Sequence, residues 1–106
     1  MTEITYTRYP KACLTINGHS DAVRTNGHDL CCAAVSMLVC TFMKRLEDLN
    51  LKDKAIYCGD GYARGEFTPR GKEARRGLEA IDTILTGFRL LREQYPENII
   101  ITGGKK

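Results

Sequence analysis

The chain lacks any run near the roughly 20 apolar residues that a membrane-spanning helix needs. Its first ten residues, MTEITYTRYP, also lack the succession of basic, apolar and small residues that marks a secretory signal peptide. Neither an integral membrane helix nor classical secretion is therefore expected. We therefore expect a cytoplasmic protein with no membrane partner.

The chain has only a small excess of positive over negative charge. It contains no internal repeat and no low-complexity linker. The formal net charge is +3, and a nucleic-acid-binding domain usually concentrates a larger basic excess on one face. We expect contact with nucleic acid only indirectly, if at all. A length of 106 residues suits one modest core, so residues 1–106 are predicted to form a single domain.

Cysteine occurs five times, an odd number, in a chain whose first residues do not resemble a secretory leader. A disulfide framework is therefore not expected, and reduced thiols are the default. In the strand-like segment ACLTIN, Cys13 falls on the opposite side from three apolar residues, which predicts a place outside the main core. Cys40 and Cys58 are best explained as small, buried core residues.

Strand-like segments come in two pairs. ITYTRY and ACLTIN are separated by Pro10, and KAIYC and YARGEFT are joined through residues 59–61, which suit a tight turn. Each pair predicts a hairpin. A last segment, NIIIT, predicts a final strand near the carboxyl end.

Two helical segments complete the predicted order ββαββαβ. The first runs without a breaker from Leu30 to about Leu49, with Asp29 as its N-cap. The second starts at Pro69, repeats apolar residues at spacings of three and four, and ends before Pro96. The sequence thus predicts an α+β domain with two helices packed on an antiparallel sheet.

Two adjacent cysteines lie where the first helix is predicted to begin. With Asp29 as the N-cap, Cys31 and Cys32 fall in the first turn, where backbone N–H groups lack partners within the helix. Those amides and the helix dipole favour negative charge and lower the pKa of a thiol. Either cysteine is therefore a candidate nucleophile.

Helical spacing distinguishes the two cysteines. Asp29, Cys32 and Ser36 lie at i, i+3 and i+7 and share one face, whereas Cys31 points about a quarter turn away. Ser36 can donate a hydrogen bond toward a thiolate or a substrate, or bond back to a carbonyl four residues earlier. Both roles for Ser36 stay open.

A cysteine nucleophile needs a general base, and imidazole is the usual choice at neutral pH. His19 follows the second strand and can fold back over the thiol, whereas His28 directly precedes the predicted cap. An exposed loop histidine without a role is the simpler interpretation of each.

Zinc binding is an alternative use of the same side chains. The residues that supply its ligands would be Cys13, His19, His28, Cys31, Cys32 and Cys58. The paired C-x-x-C or H-x-x-x-H spacing of structural zinc sites is missing, so we expect no metal and no cofactor.

The segment NGHSDAVRTNGHDLCCAAVS resembles the motif of the ribosomal-processing cysteine proteases called Prp, small bacterial proteins once known only as a domain of unknown function. The family pattern is a Gly-His pair after a hairpin, a loop, and then Gly-x-Asp-Ile/Val-Val-Cys-Ala-Ala-x-Ser. The resemblance implies that Cys32 is the nucleophile and His19 the base. It places Asp29 and Ser36 at supporting polar positions.

The match departs from the family pattern at two points. The segment between His19 and Cys32 is one residue longer than is typical, and Cys31 replaces an aliphatic residue. Aligned without an insertion, Cys31 takes the catalytic position. The GHDLCCAA match and the face shared with Asp29 and Ser36 favour Cys32.

The resemblance also implies an activity. Members of the family remove a short N-terminal extension from large-subunit ribosomal protein twenty-seven, cut after an aromatic residue, and form homodimers. A ribosomal protein precursor is thus the expected substrate. Two alternatives stay open: a phage or prophage protease acting on a capsid or scaffold protein, and a non-catalytic ribosome-associated or RNA-binding module.

Overall fold

The structure is a computed structural model, which describes residues 1–18, 26–59 and 61–103, with the backbone alone for residues 26–29. Seven elements follow one another in the order ββαββαβ. They are β1 (Thr2–Thr7), β2 (Ala12–Asn17), α1 (Asn26–Asp48), β3 (Lys52–Gly59), β4 (Tyr62–Thr68), α2 (Ala74–Gln94) and β5 (Ile99–Gly103). The predicted α+β class and element order are confirmed.

One five-stranded sheet contains all the strands of the described residues, in the order β3-β4-β2-β1-β5. Both predicted hairpins pair antiparallel, and β2 also pairs antiparallel with β4. The last strand departs from the all-antiparallel prediction, because β5 runs parallel to β1. The reason is the connection: α2 carries the chain across the sheet from β4 to β5, and such a helical crossover joins strands of the same direction.

Alternation along β2 shows which face of the sheet is buried. Ala12, Leu14 and Ile16 are at most 1% exposed, whereas Cys13 and Thr15 point the other way and are half-buried. Both helices cover the buried face, with α1 over β3 and β4 and α2 over β2 and β5. Within the described residues the other face has no helix on it, and Cys13 lies there, outside the core, as predicted.

Helix α1 is anchored by an apolar stripe with spacings of three and four residues. Its buried members are Cys31, Val35, Val39, Phe42, Met43 and Leu46. They meet the sheet closely at Gly65 of β4, where an added Cβ would lie 2.6 Å from Cδ1 of Leu46 and 2.7 Å from Cε2 of Phe42. A side chain at residue 65 would push the helix off the sheet, so this glycine sets the spacing of the two layers.

Helix α2 begins at Ala74 rather than at Pro69, where the sequence predicted it. The intervening Gly71 has φ +102°, a left-handed conformation that a right-handed helix cannot include. The helix therefore starts only after this glycine. The prediction was wrong by five residues because proline marks a permitted helix start without requiring one.

Lys54 of β3 joins the sheet to the end of α1. Its ammonium group donates hydrogen bonds to the carbonyl oxygens of Leu46 at 3.0 Å, Glu47 at 3.3 Å and Leu49 at 2.8 Å. The last carbonyls of a helix have no partner within it, and a cation there also opposes the negative end of the helix dipole. Lys54 thereby caps α1 from a neighbouring strand.

We expect Lys54→Met to lower the free energy of unfolding by about 1 to 2 kcal/mol, because it removes charge-assisted hydrogen bonds to helix carbonyls. Urea denaturation followed by circular dichroism measures the change. The exposed Lys72 offers a matched control, and Lys72→Met should leave the midpoint nearly unchanged. Equal midpoints for the two variants would contradict the capping role of Lys54.

Candidate active site

Helix α1 begins at Asn26, one turn earlier than the sequence predicted. Asp29 is therefore a residue of the first turn and not the N-cap, and its side chain lies outside the described residues. Residues 26–28 read Asn-Gly-His, which resembles a turn but contains no proline, so the backbone can extend the helix through them. The predicted cap is wrong, whereas the predicted face of Asp29, Cys32 and Ser36 is unaffected.

The earlier start moves the unpaired amides of the helix away from the cysteines. The N–H groups without a helical partner are the first four, which belong here to residues 26–29. Cys32 lies one turn further along the helix, where its N–H has a carbonyl four residues earlier as its partner. The expectation that Cys31 and Cys32 occupy the first turn is thus incorrect.

Burial separates the two adjacent cysteines. Cys31 is 4% exposed and belongs to the hydrophobic core, whereas Cys32 is half-buried and opens toward the surface. Ser36, one turn after Cys32 on the same face, is also half-buried. A substrate can reach the Cys32 face of α1 but not Cys31.

The thiol of Cys31 is held neutral by its surroundings. Burial raises its pKa, the neighbouring Cys32 adds to the rise, and the positive charge of the Met1 amino group opposes it. A raised pKa leaves little thiolate at neutral pH, and the thiolate is the nucleophilic form. Cys31 is thus suited to packing.

The amino end of β1 and the carboxyl end of β2 lie beside this part of α1. The backbone N–H of Gly18 donates a 2.9 Å hydrogen bond to the carbonyl of Gly61, and an added Cβ at Gly18 would lie 2.6 Å from the Met1 carbonyl oxygen. Met1 in turn is close enough to influence Cys31 electrostatically. His19 itself lies outside the described residues, but its neighbour Gly18 is at the same end of the sheet as the cysteines.

Gly18 has a conformation that only glycine adopts easily. Its φ of +86° lies in the left-handed region, and the Met1 backbone occupies the space where a side chain would be. The glycine that precedes His19 therefore turns the chain sharply at the end of β2. The sequence marks this glycine as the start of a polar connection and as part of the family motif, but its left-handed φ is visible only in the structure.

Cys40 and Cys58 are both exposed, which contradicts their predicted place in the core. On α1 the buried stripe includes Val39, and Cys40 follows it by about 100° around the helix, on the solvent side. Cys58 lies near the end of β3, an edge strand, where little chain packs over it. The sequence assignment failed because apolar character alone does not show which side of an element is covered.

Cys13 is separated from the buried Cys31 by the sheet. It lies on the face without helices, where burial raises its pKa, Arg64 and Lys11 oppose the rise, and Glu66 adds to it. Cys31 belongs to the core on the other side. The structure therefore does not bring Cys13 to the cysteine pair.

Metal and membrane signatures were searched over the described part of the chain. There, no group of three or more His, Cys, Asp or Glu side chains is arranged to hold a metal ion. The imidazoles of His19 and His28, which the zinc alternative requires, lie outside the described residues. Neither described helix is long and apolar enough to cross a bilayer.

Comparison with known families decides what kind of site this is. The model of the family described as cysteine protease Prp matches residues 1–100. The chain belongs to this family. As a Prp family member it is a cysteine protease, which excludes the non-catalytic module considered from the sequence. No curated protein sequence matches the chain significantly.

Solved structures show the same Prp fold. The chain is similar to the essential ribosomal processing protease Prp from S. aureus in complex with a substrate peptide, with a TM-score of 0.78 and 20% identity over 98% of this chain and 100% of that one. The complex of the S. aureus protease with a covalently linked product peptide gives 0.77 and 21% over the same shares. A Streptococcus mutans protein gives 0.69 and 22% over 98% and 96%.

We expect the cysteines of this Prp family member to differ in alkylation by iodoacetamide. Cys40 and Cys58 should react in the folded protein, and Cys31 only after unfolding, because it is buried and its pKa is raised. Tandem mass spectrometry of proteolytic peptides separates Cys31 from Cys32. Reaction of native Cys31 as fast as that of Cys40 would contradict the buried, neutral thiol.

Proposed function

We propose that this protease removes the short N-terminal extension of large-subunit ribosomal protein twenty-seven, cutting after an aromatic residue, with Cys32 as nucleophile and His19 as general base. Membership of the Prp family supports the reaction class. The S. aureus relatives, described as ribosomal processing proteases with bound peptides, support the substrate class.

The single observation that favours Cys32 over Cys31 is their difference in burial. Cys31 fills the core at 4% exposure, and its neutral thiol has no access to a peptide. Cys32 is half-buried on the face that also contains Ser36. This difference supports the motif alignment with one extra residue in the preceding segment.

His19 is the base in this proposal because of where the described chain leads to it. Gly18 directly precedes His19, and its N–H donates a hydrogen bond to the carbonyl of Gly61. This hydrogen bond lies at the end of the sheet where Met1 is near Cys31. The family motif places its histidine in the Gly-His pair directly after the hairpin, which is the position of His19. His28 lies on α1 four residues before Cys32, outside that position of the motif.

The proposed reaction has two steps. In the first, the Cys32 sulfur attacks the scissile carbonyl carbon, the C–N bond breaks, and the proton that His19 takes from the thiol passes to the leaving amine. In the second, His19 takes a proton from water, the resulting hydroxide attacks the thioester, and the sulfur leaves. A product peptide covalently linked to the S. aureus protease is consistent with this kind of chemistry.

The polar neighbours of Cys32 have defined tasks in the proposal. Since α1 begins at Asn26, Asp29 is not its N-cap, and the proposal assigns it the task of orienting His19. Ser36, one turn beyond Cys32, donates a hydrogen bond toward the reacting carbonyl or the thiolate. These are positioning roles, which follow from a shared helical face.

We infer from the family relationship that the protease is a cytoplasmic homodimer.

The direct test is incubation with a peptide that spans the extension and the mature start of the ribosomal protein, followed by mass spectrometry. We expect one cut after an aromatic residue. Cys32→Ala should lower kcat by about 10³-fold or more, and His19→Ala by about 10² to 10⁴-fold.

Matched variants test the residue assignment. Cys31→Ala and His28→Ala should keep cleavage within a few-fold once circular dichroism shows that they are folded. If cleavage is retained in Cys32→Ala and lost in Cys31→Ala, the nucleophile is Cys31 and the assignment to Cys32 is wrong. An intact peptide with the unchanged protein would exclude this substrate.

A further inference from the structure

The face of α1 that contains Cys32 is turned away from α2. Thr41 and Arg45 line the groove between the two helices, and Gly87 of α2 makes room for Leu38. Thr41 follows Cys32 by nine residues, which places it about 180° around the helix from Cys32. Ser36 is only about 40° from Cys32. Cys32 and Ser36 therefore lie on the flank opposite the second helix.

That flank looks toward one particular edge of the sheet. Helix α1 packs over β3 and β4, and α2 packs over β2 and β5, nearer the other edge. The buried stripe of α1 points at the sheet, and Met43, which shares the Cys32 flank, is 7% exposed. The flank of α1 opposite α2 therefore faces the outer edge of β3.

The outer edge of β3 has two unlike halves. At its beginning a register shift separates Lys52 from Ala55, and Asp53 has a left-handed φ of +53°. A bulge with charged residues is a common protection against pairing with another strand. From Ala55 to Gly59 the register is regular, no residue is charged, and Ala55, Tyr57 and Cys58 are exposed. This second half is open to an added strand.

The open half of β3 approaches the catalytic end of α1. Gly65 lies under Phe42 and Leu46 and pairs with Ile56, which fixes the level of β3 against the helix. From Ile56 the strand rises about 7 Å to Cys58, and from Phe42 the helix rises about 15 Å to Cys32. Cys32 is therefore roughly 8 Å beyond Cys58, about two to three residues of extended chain.

Cys58 lies on the face of the sheet that the helices cover. It pairs with Ala63, which is buried beneath the helices, yet Cys58 itself is exposed. The helix-facing side of the end of β3 is therefore accessible to solvent. A polypeptide paired with β3 would pass along this accessible side.

We propose that the substrate polypeptide binds as an added antiparallel or parallel strand on the Ala55–Gly59 edge of β3, which leads its scissile bond to Cys32. This assignment rests on the proposed function of Cys32. A protease needs its substrate extended at the nucleophile, and pairing with a free sheet edge supplies that conformation through main-chain hydrogen bonds. The β5 edge lies on the α2 side and does not lead to Cys32.

Two native cysteines allow the edge to be mapped directly. The Cys32→Ala variant binds the ribosomal protein peptide without cutting it. Saturating peptide should then slow the alkylation of Cys58 by N-ethylmaleimide about tenfold, because Cys58 is blocked while the peptide is bound. Cys40 is also exposed but lies on the solvent side of α1, so its alkylation rate should not change. Protection that instead rises with protein concentration, without peptide, would assign the edge to a second copy and overturn the proposal.

A kinetic comparison uses the same chemical change at both cysteines. Cys58→Arg introduces a charged, bulky side chain beside the edge and should raise KM for the peptide about tenfold or more, with kcat changed less. Cys40→Arg is the matched control and should leave both parameters within twofold. Equal KM values for the two variants would overturn the edge assignment.

The outcomes separate the edge from the function. Cleavage of the peptide by the unchanged protein, without protection of Cys58, overturns the edge and leaves the proposed function standing. Protection of Cys58 without cleavage supports the edge and overturns the proposed substrate. Absence of both overturns both.

Discussion

The contact between α1 and Gly65 is the constraint on which the rest of this structure depends. Because residue 65 has no side chain, Phe42 and Leu46 pack directly on the backbone of β4. Close packing leaves a helix little freedom to rotate, since its buried stripe must stay on the sheet. The rotation of α1 then decides, without any further interaction, that Cys31 enters the core and Cys32 faces outward.

This rotation gives the two adjacent cysteines different surroundings. Cys31 adds to the apolar packing and is kept as a neutral thiol, whereas Cys32 is only half-buried. A change of about 100° per residue around a helix is enough to bury one cysteine and leave the next accessible. Position on the helix alone therefore gives Cys31 and Cys32 their different surroundings.

Most of the fold was predictable from local patterns. Alternation and turn residues gave four strands and both hairpins, and apolar spacing gave both helices. The helix starts were wrong where a residue permits a conformation without requiring it: Pro69 does not begin α2, and Asn26 to His28 join α1 although they resemble a turn. The parallel pairing of β5 was missed because strand partners far apart in sequence leave no local signal.

The site was predictable to the extent that it depends on helical spacing. The shared face of Cys32 and Ser36 follows from their separation by four residues, and burial then distinguished Cys32 from Cys31. The exposure of Cys40 and Cys58 was not predictable, because it depends on how far neighbouring elements extend over them. The β3 edge likewise exists only once the strand order is known.

The pairing of the first strand with the last has a consequence for biosynthesis. Thr2 of β1 pairs with Ile99 of β5, so one side of β1 has no partner until β5 has left the ribosome. Contacts of such long sequence separation slow folding, and an unpaired strand in a nascent chain attracts other strands. The hairpin of β1 and β2 therefore stays unpaired on one side until β5 has been synthesised.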